Sequence, residues 1–336
     1  MSVTAAPADR LLAWGRRWGI SAASLVAGMA TLLVFRRGLP HAHWIVGYLL
    51  LIWLLVTVML RARDTLAASS RRSLRLVAVA TEYTIQSLYH GVLLFLLPAY
   101  AAAATFTSRN VVFVALLAGL ALVATFDPWY RALVHPRPWA GHVFFLVALF
   151  GGLNLALPLV GVPPFPSLQL SAWIAVVGLT PVAAQAWRWP WPRALVAMMA
   201  LGVVAALAAG AARAWVPPAP LFLARSTLAW GAEGLDAPPP VASAIRATEL
   251  HERGLVAHTA IFAPAGLRQP VEHVWHLRGE ALDRVRLTPI EGGRQDGYRT
   301  YSRKTGFPTD PVGRWTVDVV TVSGQLIGRL RFRVVP

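Results

Sequence analysis

The chain has 336 residues, 56% of them hydrophobic and only 14% charged, with a mean hydropathy of +0.54 and a formal net charge of +16. Soluble domains are about 45–50% apolar and about 25% charged, and disordered chains need low hydrophobicity, so the composition argues against both classes. Cysteine is absent, which excludes disulfide frameworks, zinc–cysteine sites, iron–sulfur clusters and thiol nucleophiles.

Crossing a bilayer as a helix takes about 20 apolar residues. Seven apolar runs approach or reach that length: residues 20–35, 42–60, 76–100, 111–126, 142–160, 168–187 and 194–215. Pro98, Pro158 and Pro181 are each expected to kink or end a helix. Arg16 and Arg17 before the first run resemble the start of a secretory signal. Arg36, Arg37 and a second span follow it in place of a cleavage site, so an uncleaved first helix is expected.

Arginine placement sets the expected orientation. With the N-terminus cytoplasmic, inner segments carry Arg10, Arg16, Arg17, Arg61, Arg63, Arg71, Arg72, Arg75, Arg131, Arg137, Arg188 and Arg193. Outer segments carry only Arg36, Arg37, Arg109 and Arg213, and seven spans then leave the tail extracytoplasmic. Residues 1–216 hold 16 basic and 4 acidic side chains, and residues 217–336 hold 15 and 11. The excess charge thus flanks the spans, where anionic headgroups neutralise it, and no nucleic-acid partner is implied. Trp129, Tyr130, Trp187, Trp189 and Trp191 fall where an interfacial aromatic belt is expected.

Beyond Trp215 the prolines 217, 218 and 220 make a stiff spacer, and residues 221–231 suggest a short interfacial helix within a Pro-rich linker over 217–241. From about residue 242 the hydrophobic period becomes two. Leu326, Gly328, Leu330, Phe332 and Val334 take one face of the last strand, and Ile327, Arg329, Arg331 and Arg333 the other. Trp315, Val317, Val319 and Thr321 precede a turn at Ser323-Gly324. Further strands are expected over 254–263, 271–278, 283–289 and 298–304. The expected fold is therefore an α-helical polytopic membrane domain of about seven transmembrane helices (1–216) followed by an immunoglobulin-like antiparallel β-sandwich (242–336) with Trp275 and Trp315 in its core.

The order His273-Val274-Trp275, Gly279, Gly292-Gly293-Arg294, Gly297-Tyr298-Arg299, Ser302-Arg303-Lys304, Phe307-Pro308, Gly313-Arg314-Trp315 and Gly324-Gln325 through Phe332 resembles a bacterial domain of unknown function, the 2914 family, over roughly residues 255–335. The preceding part is similar to a multi-spanning module fused to it, the 5924 family, through Leu97-Pro98 ending the third span, Asp127-Pro128-Trp129-Tyr130, and Arg213-Ala214-Trp215-Val216-Pro217-Pro218. The resemblance implies an architecture and no activity.

Glu82 is the one acid well inside an expected span, with Gln86 and His90 following at helical spacing on the same face. Intramembrane ionisable residues are functional candidates, so a proton relay or cation site stands against interhelical hydrogen bonding in which Glu82 reaches towards Arg75. His41 and His43 form a weak metal pair without a carboxylate near in sequence. In the tail, His273 and Trp275 share a strand face, His276 points the other way, and His258 lies on another strand; His273 is expected to be a buried framework residue rather than a base. Ser302 lacks a nucleophile-elbow context. Arg329, Arg331 and Arg333, joined by Arg284 and Arg286, form a basic stripe that either solvates an outer face or meets an anionic partner.

The expectation is a multi-pass protein of the bacterial cytoplasmic (inner) membrane. It has no cofactor, metal or catalytic residue, and it presents a periplasmic domain to an anionic envelope component or a membrane protein. The alternative is a transporter or membrane enzyme using Glu82, Gln86 and His90.

Overall fold

The computed structural model describes residues 72–231 and 240–336, together with the helical positions Leu54 and Val58. The first expected span, most of the second, the pair His41 and His43, and the side chain of Arg75 lie outside the described residues.

Seven helices precede the strands in the described chain: α1 (Arg72–Ala103), α2 (Val111–Thr125), α3 (Asp127–Leu133), α4 (Pro138–Leu159), α5 (Pro164–Val177), α6 (Thr180–Ala186) and α7 (Trp191–Ala211). Among the described residues, four stretches are long and apolar enough to cross a membrane: Ala80–Ala103, Pro138–Leu159, Pro164–Ala186 and Trp191–Ala211. The fourth expected span takes another form. Its 15-residue α2 rises only about 22 Å, short of the roughly 30 Å hydrocarbon layer, and meets α3 at a bend of 105°. The resemblance places the end of the third span at Pro98. Instead α1 runs past Pro98 to Ala103, because one missing N–H costs one hydrogen bond while the residues beyond keep theirs.

The described chain divides into two compact units, the first comprising its residues up to Pro98, Ala115–Ala156 and Gln169–Ala208, and the second Ala99–Val114, Leu157–Leu168 and Ala209–Pro336. In the first, the rings of Tyr89 and Tyr130 each lie 5.7 Å from that of Phe144, tying α1, α3 and α4 together. Gly202 lets α7 approach α5: a Cβ there would lie 2.8 Å from Cδ1 of Trp173.

Beyond Trp215 the described residues of the second unit form ten strands and a short helix: β1 (Phe222–Ala229), β2 (Ala244–Arg246), α8 (Ala247–Arg253), β3 (Leu255–Phe262), β4 (Arg268–Gln269), β5 (Val271–Leu277), β6 (Glu280–Arg286), β7 (Ile290–Glu291), β8 (Tyr298–Lys304), β9 (Gly313–Thr321) and β10 (Leu326–Val335). One sheet has the order β1-β3-β8, a second β2-β10-β9-β5-β6, and a two-stranded ribbon joins β4 to β7. All pairings are antiparallel except β2 with β10, which is parallel. One apolar core draws on both large sheets, with Leu255 and Ile261 on one and Trp275, Trp315, Val317 and Phe332 on the other. Both tryptophans are fully buried, and the Trp315 ring stacks on Phe332 at 5.7 Å.

Two expectations are corrected here. Residues 221–231 form no interfacial helix: they contain β1, which pairs along β3. A register shift between Leu223 and Arg225 interrupts the two-residue period and hides the strand in the sequence. Ile327 does not share the outer face with the arginines. The β9–β10 pairing shifts between Leu326 and Gly328, and the irregularity turns Ile327 into the core.

Loops that join the helices belong to this same unit. Arg109 lies over the Trp215 ring at 5.9 Å, and Asn110 Nδ2 donates to the carbonyl of Leu326 at 3.5 Å. A Cβ on Gly161 would lie 3.4 Å from the carbonyl oxygen of Gly266, and one on Gly324 3.6 Å from Nε of Arg213. The strands thus pack on residues 99–114, 157–168 and the end of α7.

Candidate functional site

The bend between α2 and α3 has a covalent cause. Residue 128 is proline, so the carbonyl of Ala124 has no N–H four residues on to receive. Gln86, on α1, takes that place: its Nε2 donates to Ala124 O at 3.1 Å and to Asp127 Oδ1 at 2.8 Å. His90, one turn further, meets Thr125. The Thr125 hydroxyl gives its proton to Ala121 O at 2.7 Å, so His90 Nδ1 is the donor in the 2.9 Å contact with Thr125 Oγ1. Gln86, His90 and Thr125 are all buried.

Thr180-Pro181 repeats the device at the break between α5 and α6. Pro181 cannot donate to Val177 O, and the Thr180 hydroxyl does so at 2.6 Å. One side-chain donor thus replaces one lost backbone donor at each break, as an apolar surrounding requires.

Glu82 stands apart from the other two. Its side chain is 53% exposed, and Oε2 lies 4.0 Å from Nε2 of His135, itself 45% exposed. An ion pair so open contributes little to stability. The face of α1 that carries Glu82, Gln86 and His90 therefore meets residues 124–135 along its length, with two buried contacts and one open one. Sequence reading named Asp127 only within the family resemblance, and it missed Thr125 and Thr180. An acid followed by proline directly after an apolar run is a helix-start signal, and it points to the break.

The second polar constellation lies in the β core. His273 is fully buried between the two sheets, with Nδ1 2.8 Å from Ser302 Oγ and Nε2 3.1 Å from Thr259 Oγ1. Trp275 Nε1 donates to Ser302 Oγ at 3.3 Å, and Thr259 Oγ1 donates to Thr300 O at 3.4 Å. One proton arrangement satisfies every member: Ser302 donates to Nδ1, and Nε2–H donates to Thr259. The opposite tautomer leaves the Ser302 proton without an acceptor in this network. Burial pushes the His273 pKa down to about 4, so the ring is neutral at physiological pH. A serine and a histidine within hydrogen-bond distance invite a catalytic reading, but both are sealed from solvent.

The other marked residues of the tail divide by face. Lys304 is buried beside Phe307, and its Nζ donates to Asp283 Oδ2 at 3.0 Å, linking β8 to β6 at the margin of the core. Trp315 Nε1 donates to Pro311 O at 2.8 Å. Arg299 lies exposed on the outer side of β8. His258 Nε2 donates to Gly231 O at 3.2 Å and the ring packs on Tyr301, while His276 sits on the outer side of β5, away from His273. Among the described residues, no three His, Asp or Glu side chains converge as a metal site would require.

Ion pairs divide the basic stripe. Arg284 and Arg286 lie 2.6 and 3.5 Å from the buried carboxylate of Glu272. Arg329 binds Asp318 through two hydrogen bonds of 2.5 and 2.6 Å. Arg331 and Arg333 are exposed and form no ion pair with any described residue. Sequence reading missed Glu272 and Asp318, because cross-strand partners follow from register, which the sequence does not print.

No curated protein matches the chain. Residues 268–334 match the family model of DUF2914, a protein of unknown function. It follows an N-terminal match that covers residues 2–257, and by that match the chain belongs to DUF5924, a family of unknown function.

Proposed function

We propose that this protein is a non-catalytic scaffold of the bacterial cytoplasmic membrane, with seven spans of which the bent α2–α3 pair forms one, a cytoplasmic N-terminus and an immunoglobulin-like β-sandwich presented in the periplasm. One observation carries the reading. The strands pack on the loops around residues 104–110 and 160–163, and those loops hold a single arginine, Arg109. In the other unit, the short helix α3 with the turn after it and the turn around 187–190 hold Arg131, Arg137 and Arg188, with Arg193 just beyond. Arginine-poor loops belong outside, and the strands go with them. The sealed His273–Ser302 network supports a role in binding rather than chemistry.

The test is the side of the membrane that the β region occupies. Glu280 is exposed at the turn between β5 and β6, whereas Ser323 bonds to Thr321 in a hairpin packed near Arg213. Glu280→Cys supplies the chain's one thiol. Labelling by a membrane-impermeant maleimide in cells with a permeabilised outer membrane, without lysis, is expected. Labelling only after lysis overturns the topology.

A transporter or membrane enzyme working through Glu82, Gln86 and His90 is the second reading, and the broken α2–α3 segment with Asp127 at its bend favours it, since discontinuous helices line transport sites. In proteoliposomes loaded with pyranine, Glu82→Gln is expected to leave proton flux unchanged. A loss of flux places the second reading first.

A further inference from the structure

The outer face of the five-stranded sheet is uneven in charge. In the row that contains Arg329, an acid stands directly opposite: Asp318. Two residues along β10, Arg331 faces Thr316, which in turn faces His276. Two further, Arg333 faces Arg314. Like charges directly opposite in an antiparallel pair are destabilising. Arg314, Arg331 and Arg333 are all exposed, and none forms an ion pair or side-chain hydrogen bond with a described residue. Their Cα atoms fall about 5 Å apart across strands and about 7 Å apart along one, so three unneutralised guanidinium groups share one corner of the sheet.

We infer that this corner binds a linear polyanion, a polymer carrying carboxylate or phosphate groups at short regular intervals. Three features select this occupant. All three groups are guanidinium, the side chain suited to two-point contact with oxyanions. Thr316, His276, Ala244 and Val335 are their neighbours on that face, so among the described residues no aromatic side chain stands there to anchor a folded protein partner. Arg331 and Arg333 also lie five and seven residues along β10 from Leu326, where the strand touches Asn110. That is about 17 and 23 Å along an extended strand from that loop contact, more than one screening length of roughly 8–10 Å away from it. The inference rests on the sheet being presented to the envelope, and it names what that sheet meets there.

The test uses the full chain in detergent micelles, so its outcome is independent of the labelling experiment on sidedness. Fluorescein-labelled polygalacturonate and inorganic polyphosphate are titrated by fluorescence anisotropy, with polyglutamate and phosphatidylglycerol nanodiscs as competing probes. Arg331→Gln/Arg333→Gln is expected to weaken binding of the first two at least tenfold and to lower the log–log salt dependence by about one unit per lost arginine. Arg268→Gln/Arg303→Gln removes the same charge from other exposed positions and is expected to stay within about twofold. Arg333→Gln alone is expected to melt at or above the parent temperature, since it removes the repulsion with Arg314, which separates lost binding from lost folding. Equal weakening by both double variants, or none by either, overturns the site. Competition by polyglutamate, itself a linear polycarboxylate, supports the occupant, and preference for the nanodiscs overturns it.

Discussion

The helical and β regions both bury polar side chains, and they satisfy them in different ways. Among the helices, Gln86 and Thr180 each repair a single carbonyl that a proline has left without a donor. In the β core, Ser302, His273, Thr259 and Trp275 satisfy one another across two sheets. The first arrangement is local, so each repair stands alone. The second is collective, so its members should couple. The contrast follows from the surroundings: a helix meets its own backbone needs except where proline intervenes, whereas two facing sheets leave side chains to meet in the space between them.

Four experiments on the full chain in detergent, followed by near-UV circular dichroism, separate the two regimes. Trp275→Ala should have the largest effect, about 3–5 kcal/mol of destabilisation, through the cavity it leaves and the lost donor to Ser302. A loss below about 1 kcal/mol would mean the core is not organised around this ring.

Acid should act next, through His273. Its folded pKa of about 4 lies below the unfolded value of 6.5, so the unfolded chain binds the proton first. The stability this ring contributes is complete above pH 6.5 and is lost as the pH falls towards 4, about 3 kcal/mol in all at roughly 1.4 kcal/mol per unit. His273→Gln should flatten that part of the profile; an unchanged slope would assign it to other groups.

Ser302→Ala should cost about 1–3 kcal/mol by stranding His273 Nδ1 and Trp275 Nε1. Combined with His273→Gln it should cost clearly less than the sum, which is the signature of a shared network. Strict additivity would break the comparison drawn above.

The smallest effect is expected at Gln86→Leu, about 0.6–1.7 kcal/mol, the range for side-chain hydrogen bonds inside membranes. Pro128→Ala restores the backbone donor for Ala124 O, so Gln86→Leu should cost less in that background. An equal cost in both would mean that Gln86 serves Asp127 alone.

Much of the architecture was legible because apolar run length and the switch to a two-residue period are properties of the chain itself. The C-terminal end of α4, the last hairpin and the inward placement of Trp275 and Trp315 follow from them. What escaped depends on register. The irregularities at Leu223–Arg225 and Leu326–Gly328 shift a face by one residue, which hid β1 and misplaced Ile327. The Arg329–Asp318 and Arg284–Glu272 pairs escaped for the same reason, since opposite residues on neighbouring strands lie far apart in sequence. The face of Glu82, Gln86 and His90 was visible in helical spacing. Its docking on the break at Pro128 was not, because that contact spans about 40 residues.

The two family matches meet between residues 257 and 268, and that border runs through shared sheets rather than between folding units. β1 lies in the first match and lines β3, which straddles the border; β2 also lies in the first match and lines β10 in the second. A fragment beginning at the border would lose β1, β2 and the first residues of β3, and would carry two sheets with bare edges. Unpaired edges template association with other chains, so such a fragment should aggregate where the full chain stays dispersed.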